Sequence, residues 1–471
     1  YVELGSMFPE SGGMSRYAQY SHGPLLGFIA AWANWISLVT LVPMEAVAAV
    51  QYMSSWPWSW ANWTKNFIKN GDITFEGIGV VFIFMLIFTM INFWSVKIMT
   101  HFTNLISIFK ILLPTLTIVT LICSGFHEHN FGTNIHEFMP YGSRSIFEAT
   151  SVSGIIMSYD AFQTIINMGG ELKNPRKNIV RGVLISMLIT AAIYIMLQVT
   201  FIGAVEPSML AKVGWHGIDF TSPFADLAIL MGINWLVILL YLDAFVSPFG
   251  TGVAFVATAS RALAAMTHTR HLPKWLGRIN QKYMIPRYAM ATDLILAVIL
   301  VSLFRNWNLL ATVITASTLI AYLTGPVTVM TLRKIRPDLA RPFKPRYMPW
   351  LAPIAFVLTS LAIYWSMWPT TIQVILVIAL GLPIYFYYEI RYQHSDLKKQ
   401  LHNCWWMIGY LIFMSFMSYI GSNGFGGQNW IKYPFDFVVI IVVSLLFYYW
   451  GVKSGRDQLD PYAEHIVQNK K

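Results

Sequence analysis

The chain has 471 residues, 56% of them hydrophobic and only 11% charged, with 32 Lys and Arg against 22 Asp and Glu for a formal charge of +10. Soluble domains carry about a quarter charged residues, so this composition excludes a water-soluble globule and places the chain in a lipid bilayer. The basic residues sit in short loops between apolar blocks, with no basic patch interleaved with stacking aromatics, which excludes a nucleic-acid partner and points to membrane orientation instead.

Apolar blocks long enough to cross roughly 30 Å of hydrocarbon as helices are expected at 24–54, 77–99, 103–124, 146–169, 179–205, 225–260, 288–305, 309–331, 349–368, 370–390, 404–421 and 434–450. That makes about 12 spans by hydropathy length. Alternate loops lie on the same side of a membrane, and one alternating set is strongly basic. It holds Lys173, Arg176, Lys177 and Arg181, then Arg261, Arg270, Lys274, Arg278, Lys282 and Arg287, then Arg333, Lys334, Arg336, Arg341, Lys344 and Arg346. The other set carries Lys65, Lys69, Arg144, Lys212 and Arg305. The first set is expected in the cytoplasm, together with the polar tail 453–471.

Trp56, Trp58, Trp60 and Trp63 gather at a span end as interfacial anchors, a ligand-stacking patch being the alternative. Cys123 and Cys404 lie in apolar blocks and form neither a disulfide framework nor a CxxC site. The first residue is Tyr1 rather than Met, so the natural N-terminus is expected upstream.

Charges inside a span are expensive unless paired, wetted or neutralised, so each is a functional candidate. Four stand out: Glu45, Lys110, Asp160 and Asp243. Lys110 has two readings, a side chain stretched back to the cytoplasmic end near His101 or an inward group that carries a proton through a transport cycle. Glu45 and Asp243 are structural partners of neighbouring helices or partners of Lys110, and the sequence leaves that choice open. The stretch 151–164 is rich in small and polar residues around Tyr159, Asp160 and Gln163, which suits either a discontinuous helix with free backbone groups or close helix packing. Gly250-Thr251-Gly252 lacks the following Lys-Ser/Thr of a phosphate loop and reads as close packing, and 421–427 as an external turn. No zinc spacing, Ser-His-Asp order or HExxH is present, so neither a cofactor nor an enzyme is expected.

Three loop motifs carry a resemblance: 3–13 (Glu3-Leu4-Gly5 through Pro9-Glu10-Ser11-Gly12-Gly13), 170–179 (Gly170-Glu171-Leu172-Lys173-Asn174-Pro175), and Ser260-Arg261 with His271-Leu272-Pro273. The chain resembles the amino acid-polyamine-organocation permeases. Segments 92–97, 106–110, 197–204, 242–244, 341–343 and 405–422 resemble the bacterial aspartate-proton symporter branch.

The resemblance implies an all-α integral membrane protein with the LeuT-like five-plus-five inverted repeat. One multi-span domain, 1–471, is expected: 1–390 from the end of the second helix through the twelfth, 391–452 as two additional C-terminal helices, and 453–471 as the tail. The first helix and most of the second are expected before Tyr1.

By the same register, 157–163 matches the broken sixth helix. Met157, Ser158, Tyr159, Asp160, Ala161, Phe162 and Gln163, with Val42, are then the expected substrate-binding residues. Lys110 matches a fifth-helix lysine that stands where sodium-coupled relatives bind a cation, which makes Lys110, Glu45 and Asp243 the expected proton-coupling residues. At 160–162 the chain departs from the family's usual apolar-Gly-small pattern, and a carboxylate there repels an acidic substrate side chain unless protonated. The implied function is proton-coupled symport of amino acids, aspartate or glutamate among them, across the cell membrane by alternating access. Its partners are the amino acid, the proton and the bilayer, and the oligomeric state is left open. An amino-acid or amine exchanger on the same fold is the alternative, and a channel or receptor the alternative of another class.

Overall fold

The computed structural model describes residues 1–456 apart from Ser11, Ser95, Met168, Glu171, Thr221, 268–270, Met284 and 393–396, with the side chains of 94, 96–105 and 152 also set aside. Arg270, Glu171, Ser11, Ser95, the side chains of Lys97 and His101, and the tail from 457 therefore lie outside the described residues. The structure is 78% helical. In hydrocarbon no water can satisfy a backbone N–H or C=O, and the helix satisfies them within the segment.

Short helices α1 (Val2–Met7) and α2 (Met14–His22) lead into α3 (Pro24–Ser54). A 3-10 turn and a two-residue antiparallel ribbon pairing Ile68 with Ile73 precede α4 (Phe75–Trp94), α5 (Val96–Ser124) and the single turn α6 (Ile135–Phe138). Then α7 (Gly142–Val152), a 3-10 turn at Met157–Tyr159 and α8 (Phe162–Asn167) form one interrupted span. Next come α9 (Pro175–Ala204), α10 (Pro207–Val213), α11 (Pro223–Leu230), α12 (Asn234–Met266) and α13 (Arg287–Leu303). The chain continues with α14 (Trp307–Tyr322), α15 (Thr324–Ile335), α16 (Met348–Tyr364), α17 (Thr370–Ala379) and α18 (Gly381–Tyr392), and closes with α19 (Leu397–Ile420) and α20 (Phe435–Lys453). Proline opens α3 and α9, where its missing N–H costs nothing.

Each expected span falls on helix. Among the described residues eight stretches are long and apolar enough to cross a membrane, with α14–α15 and α17–α18 each counted as one. The remaining four are the interrupted span, the 17-residue α13 and α16, and α19 with its polar opening turns. Several blocks divide: 77–99 runs from α4 into α5, 309–331 covers α14 and α15, 370–390 covers α17 and α18, and 225–260 is two helices, α11 and α12. Gly232 stands between them at φ +72°, a conformation that glycine adopts without a Cβ clash and that ends α11.

The burial of the spans sets the layout. The most apolar window of α3 is 100% buried and that of α9 only 6%, so α3 is the central pillar and α9 faces outward. A helix apolar all round belongs inside, and small residues on it let neighbours approach closely. On α3 these are Ala30, Ala33, Ala46 and Ala49, all buried, and α12 and α14 pack on it. α14 is buried without interruption from Leu310 to Ala321. The C-terminal pair α19 and α20 packs on α16, α19 also reaching α3 and α20 reaching α15.

Candidate functional site

Regular helix stops at Val152 and resumes at Phe162. Between them Gly154 lies at φ +77° against the Trp307 ring, and Asp160 N–H donates to the Met157 carbonyl at 3.0 Å within the 3-10 turn. A helix broken in mid-span offers its own backbone groups to a ligand instead of to the next turn.

The side chains of the break point in different directions. Tyr159 packs edge-on against Tyr194 of α9, ring centroids 5.6 Å apart. Asp160, 3% exposed, turns instead to α14, facing Thr318 and Tyr322. Phe162 packs at a tilt against the same Tyr322, ring centroids 5.4 Å apart, and Thr318 shares a 2.6 Å hydrogen bond with Ser37 of α3. Gln163 is fully buried, and its amide oxygen and nitrogen have no hydrogen-bond partner among the described residues. Met157 packs against the apolar cluster that contains Val42. Ser158 is half-buried and donates to the Ile155 carbonyl at 2.7 Å, while Ala161 is exposed. The structure thus joins Asp160 and Phe162 at Tyr322, sets Met157 against the cluster that holds Val42, and sends Tyr159 towards α9.

Lys110 does not stretch to the membrane surface. Half-buried on α5, it donates to Thr251 Oγ1 of α12. The glycines flanking Thr251 make this contact possible. A Cβ at Gly250 would stand 2.7 Å from Ile106 Cγ2, one turn before Lys110, and a Cβ at Gly252 would stand 2.5 Å from Phe88. With glycine at both positions α12 approaches α4 and α5 closely enough for a short hydroxyl to meet the ammonium. Glu45 and Asp243, the two carboxylates that the sequence left open as its partners, both lie within Coulombic reach of Lys110. Neither forms an ion pair with it among the described residues. Lys110 also lines a cleft of about 590 Å³ between α5 and α9 whose far wall includes Tyr194, the ring that Tyr159 touches.

Three features escaped the sequence reading. Thr251 was legible only as packing. The face Thr315, Thr318 and Tyr322 recurs at i, i+3 and i+7 on an apolar helix, and that spacing could have revealed it. Asp293 of α13 is 3% exposed and accepts Trp35 Nε1–H at 2.9 Å; a carboxylate within the 288–305 block was the signal.

The family model described as Amino acid permease matches residues 1–375. The chain belongs to that family. This permease is 49% identical to the glutamate/serine transporter AimA of Bacillus subtilis over 97% of its own length and 84% of that protein. It is 33% identical to the aspartate-proton symporter of the same organism, over 97% of the chain and 86% of the relative. With the branched-chain amino acid permease BcaP, also of Bacillus subtilis, it shares 24% identity over 85% of the chain. The resemblance read from the loops is borne out. The permease has the LeuT-like fold, crosses the membrane many times, and is a transporter and not an enzyme.

Proposed function

We propose that this permease carries an acidic or small polar amino acid inward together with a proton, by alternating access. The observation that carries the reading is Lys110, a charge within a span held against a neutral hydroxyl, with Glu45 and Asp243 in Coulombic reach and no ion pair of its own among the described residues. A group so placed biases the outward-open and inward-open states differently when protonated and when neutral, which is how a gradient does work on a substrate. The substrate's backbone amino and carboxylate groups bind at the break 153–161, with Tyr159 beside them. Asp160, turned to α14, stands away from the Tyr159 side, so an acidic side chain seated there does not meet a buried like charge.

The relatives named for glutamate, serine and aspartate support this substrate class. The basic loops face the cytoplasm, which puts the C-terminus there as well, and 391–452 forms an addition to a core that ends near 390.

A thermal-shift screen of the purified protein against all amino acids at two pH values tests the substrate class. A ligand of the native state at a hundredfold excess over its Kd stabilises by about 2.7 kcal/mol. Glutamate, aspartate or serine is expected to raise Tm, the acidic ones more at the lower pH. A shift with lysine or arginine alone contradicts the proposed class.

A further inference from the structure

We propose that the proton enters from the outer face through a cavity between α3, α5, α11 and α12, and that Asp243 takes it up there and passes it to Lys110, along a route separate from the broken helix. This rests on reading Lys110 as the proton carrier.

The cavity has a volume of about 200 Å³ and is lined by Tyr52, Thr117, Ser222, Tyr241 and Asp243 among others. The rest of the wall is apolar, with Leu113, Phe224 and Leu240 among it. At about 30 Å³ per water there is room for a short water chain, and the five polar side chains give such a chain partners. Asp243 Oδ1 is buried in this wall with no hydrogen-bond partner among the described residues. An orphaned carboxylate oxygen beside a cavity with room for water is placed to accept a proton from it.

Two helices lead from the cavity to the lysine. On α12, Asp243, Ser247 and Thr251 recur at i, i+4 and i+8, a polar stripe about 12 Å long on one helix face. Thr251 Oγ1 lies 3.3 Å from the Ser247 carbonyl and receives the Lys110 ammonium. On α5, Pro114 and Thr117 of the cavity wall stand four and seven residues after Lys110, on its face.

The charged and titratable groups converge on the same place. From α3 come Glu45 and, seven residues on, Tyr52, on which Asp243, Glu45 and Asp226 all act. From α5 comes Lys110, acting on Asp243 and Glu45. From α11 comes Asp226, which accepts the Ser222 N–H at 2.9 Å, and α12 adds Tyr241, which donates to the Ser55 carbonyl at 3.1 Å. From α9 only the apolar Leu197 reaches the wall. The transfer balances in two steps. A hydronium ion gives its proton to the Asp243 carboxylate and leaves as water. The neutral acid then gives that proton to the uncharged Lys110 amine, which becomes ammonium as the carboxylate is restored.

The test uses the full chain in proteoliposomes, comparing uptake driven by an external acid pulse with substrate exchange at equal pH in the same vesicles. Asp243→Asn removes the acceptor, and Ala225→Phe fills the cavity from α11 while leaving the residues of α5 and α12 unchanged. In each, the ratio of acid-driven uptake to exchange is expected to fall by about tenfold or more, since a positioned side chain commonly speeds proton transfer by about a hundredfold. Asp243→Glu is expected to regain part of the ratio. The inference is overturned if either Asp243→Asn or Ala225→Phe exchanges substrate and keeps the unmodified ratio. Lys110→Ala is measured alongside: if it keeps acid-driven uptake, the underlying reading of Lys110 fails, whatever the other two show.

Discussion

Replacing Lys110 with alanine is expected to reduce accumulation against a gradient to the passive level, a loss of about a hundredfold or more for a group that carries the proton in every cycle. A more discriminating variant is Lys110→Arg. The guanidinium keeps the positive charge beside Thr251 and stays protonated at any working pH. A charge that only balances Glu45 and Asp243 is replaced by arginine with modest loss, whereas a charge that must come and go is not. Initial uptake rates under an inward proton gradient distinguish the two, and arginine is expected to fail as completely as alanine.

The second large effect concerns folding. Glu3, 1% exposed, accepts Arg333 Nε at 2.9 Å on Oε1 and Nη2 at 2.5 Å on Oε2, and Arg341 Nε stands 3.4 Å from the same Oε1. The two arginines also hold the loop after α15. Arg333 donates to the Pro345 carbonyl, and Arg341 donates to the carbonyls of Leu332, Arg336 and Leu339. One buried carboxylate thus fastens α1 to that loop. Glu3→Ala leaves two guanidinium groups facing each other without their anion, and removing one member of a buried charge cluster costs about 3–5 kcal/mol. Denaturation of the variant in detergent is expected to show a loss of that order. A change below about 1 kcal/mol, the range of an exposed pair, contradicts the assignment.

The spans were legible because they rest on composition, whereas composition left 151–164 open between a break and close packing and only the family resemblance favoured the break. Twenty apolar residues in a row can only be a helix in lipid, and the stretch at 151–164, rich in small and polar residues, does not suit a continuous lipid-facing one. What stayed hidden depends on phase and on distant partners. Tyr159 and Asp160 are adjacent in sequence, yet one meets Tyr194 of α9 and the other Thr318 and Tyr322 of α14, because successive residues of a 3-10 turn stand about 120° apart. The irregular residues 153–156 set that phase, and no periodicity runs through them. Gly232 lies between Met231 and Ile233, as apolar as the rest of its block, so hydropathy gave no sign that α11 ends there. Thr251 became part of the site only once α5 and α12 were seen in contact. Its glycines announced close packing without naming the lysine that the packing brings in.

Uptake of labelled glutamate, aspartate or serine into proteoliposomes, with and without an imposed inward proton gradient, tests proton-coupled transport most directly. Accumulation above the external concentration that appears with the gradient and collapses with a protonophore is the expected result. Uptake that ignores the gradient and proceeds only in strict one-for-one exchange for internal amino acid contradicts it.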